Sequence, residues 1–331
     1  MPFPLLLIAG AAVAGTIGVG KTIDAISTQS KANDINEDAQ SIVDFAKNKM
    51  SFAKTESGES LNMLGDCKVR ILNSSIHDFV NEFGKLTKVE SDNSIDKDFS
   101  ITIDEKEIEE LKELSIIASS LAKGAAGGVL SGAVTAFGAY SAAGILASAS
   151  TGTAIATLSG AAATNATLAF FGGGSIAAGG LGVAGGTAVL GGLVAAPALV
   201  ILGVVASSKA NANLEDARSN LAKAKAFDSE ISLAVTECIS IRRGADMINR
   251  FLISLNSIFA PLVFKMADII NHNGTDFSLY SDEDKKTIRK AGALARSIKA
   301  ILNIAILNDE GRYNSDSINQ LVSIKKESNL I

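Results

Sequence analysis

Outside its centre, this chain places apolar residues at helical spacing almost throughout. From Thr22 to about Ala53, Ile35, Ala39, Ile42, Ala46 and Met50 recur three and four residues apart, which puts them on one helical face. A second face runs through Leu61, Leu64, Leu72, Ile76, Phe79, Val80 and Phe83 and ends near Gly84. Residues 91–100, SDNSIDKDFS, have the composition of a loop. Asp104 then reads as an N-cap, and Glu105, Glu107, Glu109 and Glu110 suit the positive end of a helix running through Leu114, Ile117 and Leu121.

Beyond Lys209 the helical pattern returns as a long heptad seam. Leu214, Ala217, Leu221, Ala224, Ile231, Ala234, Cys238, Ile241, Ala245, Ile248, Leu252 and Leu255 alternate at three and four residues, interrupted at Asp228. Pro261 is expected to end or kink this helix, leaving a shorter one over about 262–271. The run NHNGTD reads as a turn, SDED at 281–284 caps a helix reaching about Leu302, and a short helix closes the chain.

The centre breaks the pattern. Residues 124–208 contain no Asp, Glu, Lys, Arg or His. Charged residues make up 20% of the chain, so an ordinary surface of this length would carry about seventeen of them. Gly124, Gly128 and Gly132 give two consecutive G-x-x-x-G steps, and Gly182 with Gly186 gives another. Glycine at four-residue spacing lets helix backbones approach closely, which is how helices associate in lipid. The strongest candidate span is GTAVLGGLVAAPALVILGVV, residues 186–205, which contains Pro197. The competing interpretation is the buried core of a soluble bundle, but a core is normally shielded by helices with one polar face, and the three successive candidate helices here, at roughly 125–149, 153–171 and 175 or later to 206, lack a charged face. Flanking Lys112 and Lys123 on one side, and Lys209 and Arg218 on the other, give neither end a positive-inside preference, which favours an even number of crossings such as a hairpin.

Composition agrees with helices packed through small side chains. Hydrophobic residues are 47% of 331, with no Trp and only three Tyr and four Pro, and mean hydropathy is +0.28. A net charge of −5 with no basic stripe disfavours nucleic acid as a partner. Residues 3–20 form an uncharged stretch of eighteen closed by Lys21. No Lys or Arg precedes it, so an anchor or peripheral helix is expected rather than a secretory signal.

Candidate chemistry is sparse. GTIGVGKT at residues 15–22 matches a phosphate-cradling loop, with Gly15, Gly20, Lys21 and Thr22 as its defining positions. Such a loop needs a strand feeding it and a later strand delivering a metal-binding carboxylate, and no βαβ alternation follows. His77 and His272 stand apart from other ligand-type residues, and Cys67 and Cys238 read as buried small hydrophobes, with a long-range disulfide as the alternative. No enzymatic site, cofactor or metal is expected.

The run ASTGTAIATLSGAAATNATLAFFGGGSIAAGGLGVAGGTAVLGGLVAAPALVILG, residues 149–203, resembles a group of bacterial glycine-zipper membrane proteins of uncharacterised function. MPFPLLLIAGAAVAG, ELKELS at 110–115 and NGTDFSLYSDEDKK at 273–286 extend that resemblance over most of the chain. In layout, an apolar hairpin between long amphipathic helices, the chain is similar to α-helical pore-forming toxins of the cytolysin A type and to apolipoprotein L. The resemblance implies a bacterial membrane protein and assigns no residue a role, while small-residue helix packing favours oligomers.

The sequence therefore predicts an all-α fold: an elongated bundle of long amphipathic helices with a central Gly/Ala-rich apolar hairpin. Its expected parts are an N-terminal apolar anchor at 1–21, an amphipathic region at 22–123, a membrane-interacting region at 124–208, and the heptad and C-terminal helices at 209–331. The expected partners are a lipid bilayer and further copies of the chain, with a cytoplasmic body facing a bacterial inner membrane. A membrane-anchored coiled-coil scaffold is the main alternative, and a P-loop nucleotide hydrolase at a membrane the lesser one.

Overall fold

The computed structural model describes residues 19–89, 105–125, 137–139, 214–308 and 312–328. Helix occupies 89% of these residues and none forms a strand, so the fold is all-α. Helix α1 spans Val19–Ile71, followed by a π turn at Leu72–Ile76 and α2 at His77–Phe83. Helix α3 is Glu105–Ala125, and α4 is Leu214–Asn273. A 3-10 turn at Phe277–Leu279 leads into α5, Asp282–Leu302, and α6 is Asp316–Ser328. The expected N-cap Asp104, the N-terminal apolar stretch and nearly all of 124–208 lie outside the described residues.

The chain divides into two compact units, Met1–Lys49 with Ala196–Ser232, and Met50–Ala195 with Leu233–Ile331. In the first, α1 and α4 meet through small side chains. Ala32 packs on Ala217, with Ile35 and Leu214 beside them. Asn220 Nδ2 donates to Asn36 Oδ1 at 3.0 Å and Lys49 Nζ to Ser232 Oγ at 2.9 Å. The partner numbers rise together, so the two helices run parallel here, which requires a long crossover between them. Val43, not Ile42, is the buried neighbour of Ala39 and Ala46. On α4 the interior positions are Ala217, Asn220, Ala224, Phe227 and Ile231, so Leu221 is only half-buried and Asn220 takes its place. Asp228 does not interrupt the seam, because Phe227 fills it.

The second unit holds the main core. Leu61, Leu64, Leu72, Ile76 and Phe79 meet Leu111, Leu114 and Ile117 of α3, Ile241 to Met266 of α4 at seam spacing, and Ile288, Leu294, Ile298 and Ile301 of α5. Val235 is the buried seam residue where Ala234 was expected. Arg242 donates to Glu56 at 2.8 Å across α1 and α4. Cys67 and Cys238 are both free and buried, and burial pushes both thiols above their ordinary value.

Pro261 does not end α4, which continues to Asn273 with no separate helix at 262–271. The proline faces solvent, and so does Ser257, whose carbonyl loses its helical donor. On the inner side Phe259, Val263 and Met266 are buried in one core, so the helix is packed on both sides of the proline. Gly274, at φ +77°, then reverses the chain, so the turn expected over NHNGTD begins at its fourth residue and Asn271, His272 and Asn273 are still helical. Thr87 N donates to Thr275 O at 2.8 Å, Phe277 N donates to Thr87 O at 3.1 Å, and Lys88 pairs with Asp276 at 2.6 Å, fastening this turn to the segment after α2. Ser281 caps α5 by accepting from Asp284 N, and the helix ends at Leu302 as its pattern predicts.

Candidate functional site

The charge-free block leads out of α3, whose outer face is acidic. Lys299 of α5 pairs with Glu110 at 2.6 Å, and Arg296 lies 3.3 Å from Glu107, so the helix that precedes the block is tied by charge to α5. Residues 124 and 125 are the last of α3, which places Gly124 within that helix.

The next described part of the block, helical residues 137–139, is enclosed by the core. Phe137 and Ala139 are buried among the cluster formed by α1, α3, α4 and α5. Ala139 O accepts from Ile306 N at 2.8 Å and from Leu307 N at 3.0 Å. Between them, Gly138 lies against the α1 backbone. A Cβ there would fall 2.0 Å from Leu61 O and 2.8 Å from Gly65 N, so only glycine fits. This is the close backbone approach that small residues permit, at a glycine outside the G-x-x-x-G register.

Beneath this contact lies Lys68, fully buried. Its Nζ donates to Gly138 O at 3.5 Å and to Leu302 O at 3.4 Å. These are long contacts for an ammonium, and desolvation dominates: burial lowers the Lys68 pKa to about 7, against a small opposing effect of Cys67. Enclosed as it is, Lys68 meets no dissolved substrate. It joins α1, the start of the block and the end of α5 at one point. Sequence periodicity came close to finding it, because the face through Leu61, Leu64, Leu72 and Ile76 leaves a gap that Lys68 occupies.

The other sequence-singled residues do not gather. Gly20, Lys21 and Thr22 fall in the opening turns of α1, and Gly15 lies outside the described residues. Gly128, Gly132, Gly182, Gly186 and Pro197 also lie outside them. His77 Nε2 accepts from Asn81 one turn on, and His272 Nδ1 donates to Asp268 O, both at exposed helix positions. Among the described residues, no three His, Cys, Asp or Glu side chains are grouped to hold a metal.

One described helix, α4, is long and apolar enough to cross a membrane by length and composition alone. Its apolar face is already used, since Leu252, Leu255 and Phe259 are fully buried in the core. No protein-family model matches the chain, and no curated protein or solved structure matches it either.

Proposed function

We propose that this is a non-enzymatic membrane protein whose helical body grips the beginning of the charge-free block while the remainder, residues 140–208, enters a lipid bilayer. The observation that carries this reading is the block itself, 85 residues without an ionisable side chain. Such a length of chain has no means of presenting a charged face to water, and lipid needs none. The enclosed residues 137–139 support a division of the block, with its first part belonging to the body. In bacteria such a protein would sit at the inner membrane with the body in the cytoplasm. Copies assembling through the glycine-rich segments would perturb or permeabilise the bilayer.

The coiled-coil scaffold is less well supported, because the seam is occupied within the chain: Leu252 and Leu255 are fully buried by the protein's own helices. The proposal is tested by placing charge in the strongest span. Leu193→Lys with Leu199→Lys adds roughly 3 kcal/mol of insertion cost per lysine near a span centre. Flotation with vesicles is expected to fall sharply for this variant, and unchanged flotation would refute insertion through this span. Dye release from loaded vesicles tests permeabilisation separately: release by the wild type and none by the variant is the expected pair.

A further inference from the structure

We propose that the cleft between α4 and α6 binds an anionic lipid, its headgroup held by Arg243, Arg250 and Lys325 and its acyl chain lying on Met247, Phe251 and Val322. The cleft measures about 610 Å³, a size typical of small-molecule sites. Its lining is mainly apolar, and among the described residues that line it Asp246 is the one carboxylate beside Arg243, Arg250 and Lys325.

In a chain of net charge −5, three cations against one carboxylate is a local reversal. Arg243 and Arg250 are exposed and form no ion pair among the described residues, whereas the adjacent Arg242 is paired with Glu56. Seven residues apart, the two arginines share one face of α4 about 10.5 Å apart along its axis. Lys325 reaches from α6 to within 6.0 Å of the Phe251 ring centroid. Guanidinium groups offer planar donor forks matched to phosphate oxygens.

The apolar half of the cleft decides between a lipid and an acidic peptide. Met247 is 45% exposed and Val322 44% exposed, beside the cations. A hydrocarbon chain would cover them, whereas an acidic peptide backbone would satisfy the cations and leave them wet. Met247 lies between the two arginines along α4, so cations stand directly beside exposed apolar side chains, and an amphiphile meets both. The choice of a membrane lipid among amphiphiles rests on the bilayer reading given above.

The test is native mass spectrometry of the full chain released from neutral detergent, with short-chain phosphatidylglycerol and its phosphatidylcholine counterpart as probes. Phosphatidylglycerol is expected to bind once per chain. Arg243→Gln with Arg250→Gln should weaken it by roughly tenfold or more, as should Val322→Glu on the opposite helix, with circular dichroism unchanged and Arg218→Gln without effect. Equal binding of phosphatidylcholine, or full binding by both cleft variants, would overturn the assignment. Binding of glycerophosphate or an oligoglutamate peptide as tight as the lipid would overturn it in favour of a free-phosphate or acidic-peptide site. The two proposals fail separately. A chain that stays in the bilayer but shows no headgroup preference loses only the cleft assignment, and a soluble chain that binds one phosphatidylglycerol loses only the bilayer reading.

Discussion

Lys68 and Gly138 make opposite demands on the same point of the core. Gly138 has no room for a methyl group, so Gly138→Ala must displace the Leu61 carbonyl or the 137–139 segment. Overpacking of this kind costs about 1–3 kcal/mol, read as a lowered midpoint in thermal or urea unfolding. Gly58 on the same helix α1 is the control. A Cβ there meets nothing, so Gly58→Ala should stabilise by about 0.5–1 kcal/mol. Lys68 carries its own cost. Unfolded, it holds its proton up to the ordinary value of 10.5; folded, it releases it near pH 7. Between these values the unfolded chain binds more protons, so this residue makes stability climb as pH rises from 7 to 10.5 and leaves it flat below. Lys68→Met should remove that slope and raise stability at neutral pH, on the order of 1–4 kcal/mol. Urea unfolding of both proteins across this range checks it, and parallel profiles would show that Lys68 is not desolvated as described. The sequence left a gap in the apolar stripe where Lys68 sits, but nothing in it showed that the gap is closed from above. That depends on Phe137, Gly138 and Ala139 arriving from seventy residues away.

The helices themselves follow closely from local pattern, because spacing and capping are local physics. Ser281 with Asp284 and the stop at Leu302 were legible in residues 281–302, and Ser281→Ala should cost about 1 kcal/mol through its lost cap. Pro261 shows where local rules yield. A proline in mid-helix costs about 3 kcal/mol, yet α4 continues past it to Asn273, with Phe259, Val263 and Met266 buried on its inner side. Pro261→Ala should therefore stabilise the protein without changing its helix content, measured by thermal melting with circular dichroism. A gain in helicity would mean that the helix is broken there after all. Seam positions shifted by one residue, Val43 for Ile42 and Val235 for Ala234, for a related reason. Periodicity sets the face of a helix, and the neighbour it meets selects which edge of that face is covered.

The behaviour of the whole molecule depends on residues 124–208. The acidic helix α3, tied to α5 by Lys299 and Glu110, and the buried residues 137–139 attach the start of this block to the body. Its lack of charge was plain in the sequence, but its attachment point was not, because Gly138 stands out of register with the glycine steps at Gly124, Gly128 and Gly132. The most direct test is carbonate extraction of membranes from cells expressing the full chain, followed by proteolysis and mapping of the protected peptides. The expected result is a protein that resists extraction, with residues 140–208 protected and residues 91–100 cleaved. A protein recovered soluble and monodisperse without detergent would contradict it, and the charge-free block would then be part of a wholly water-soluble core.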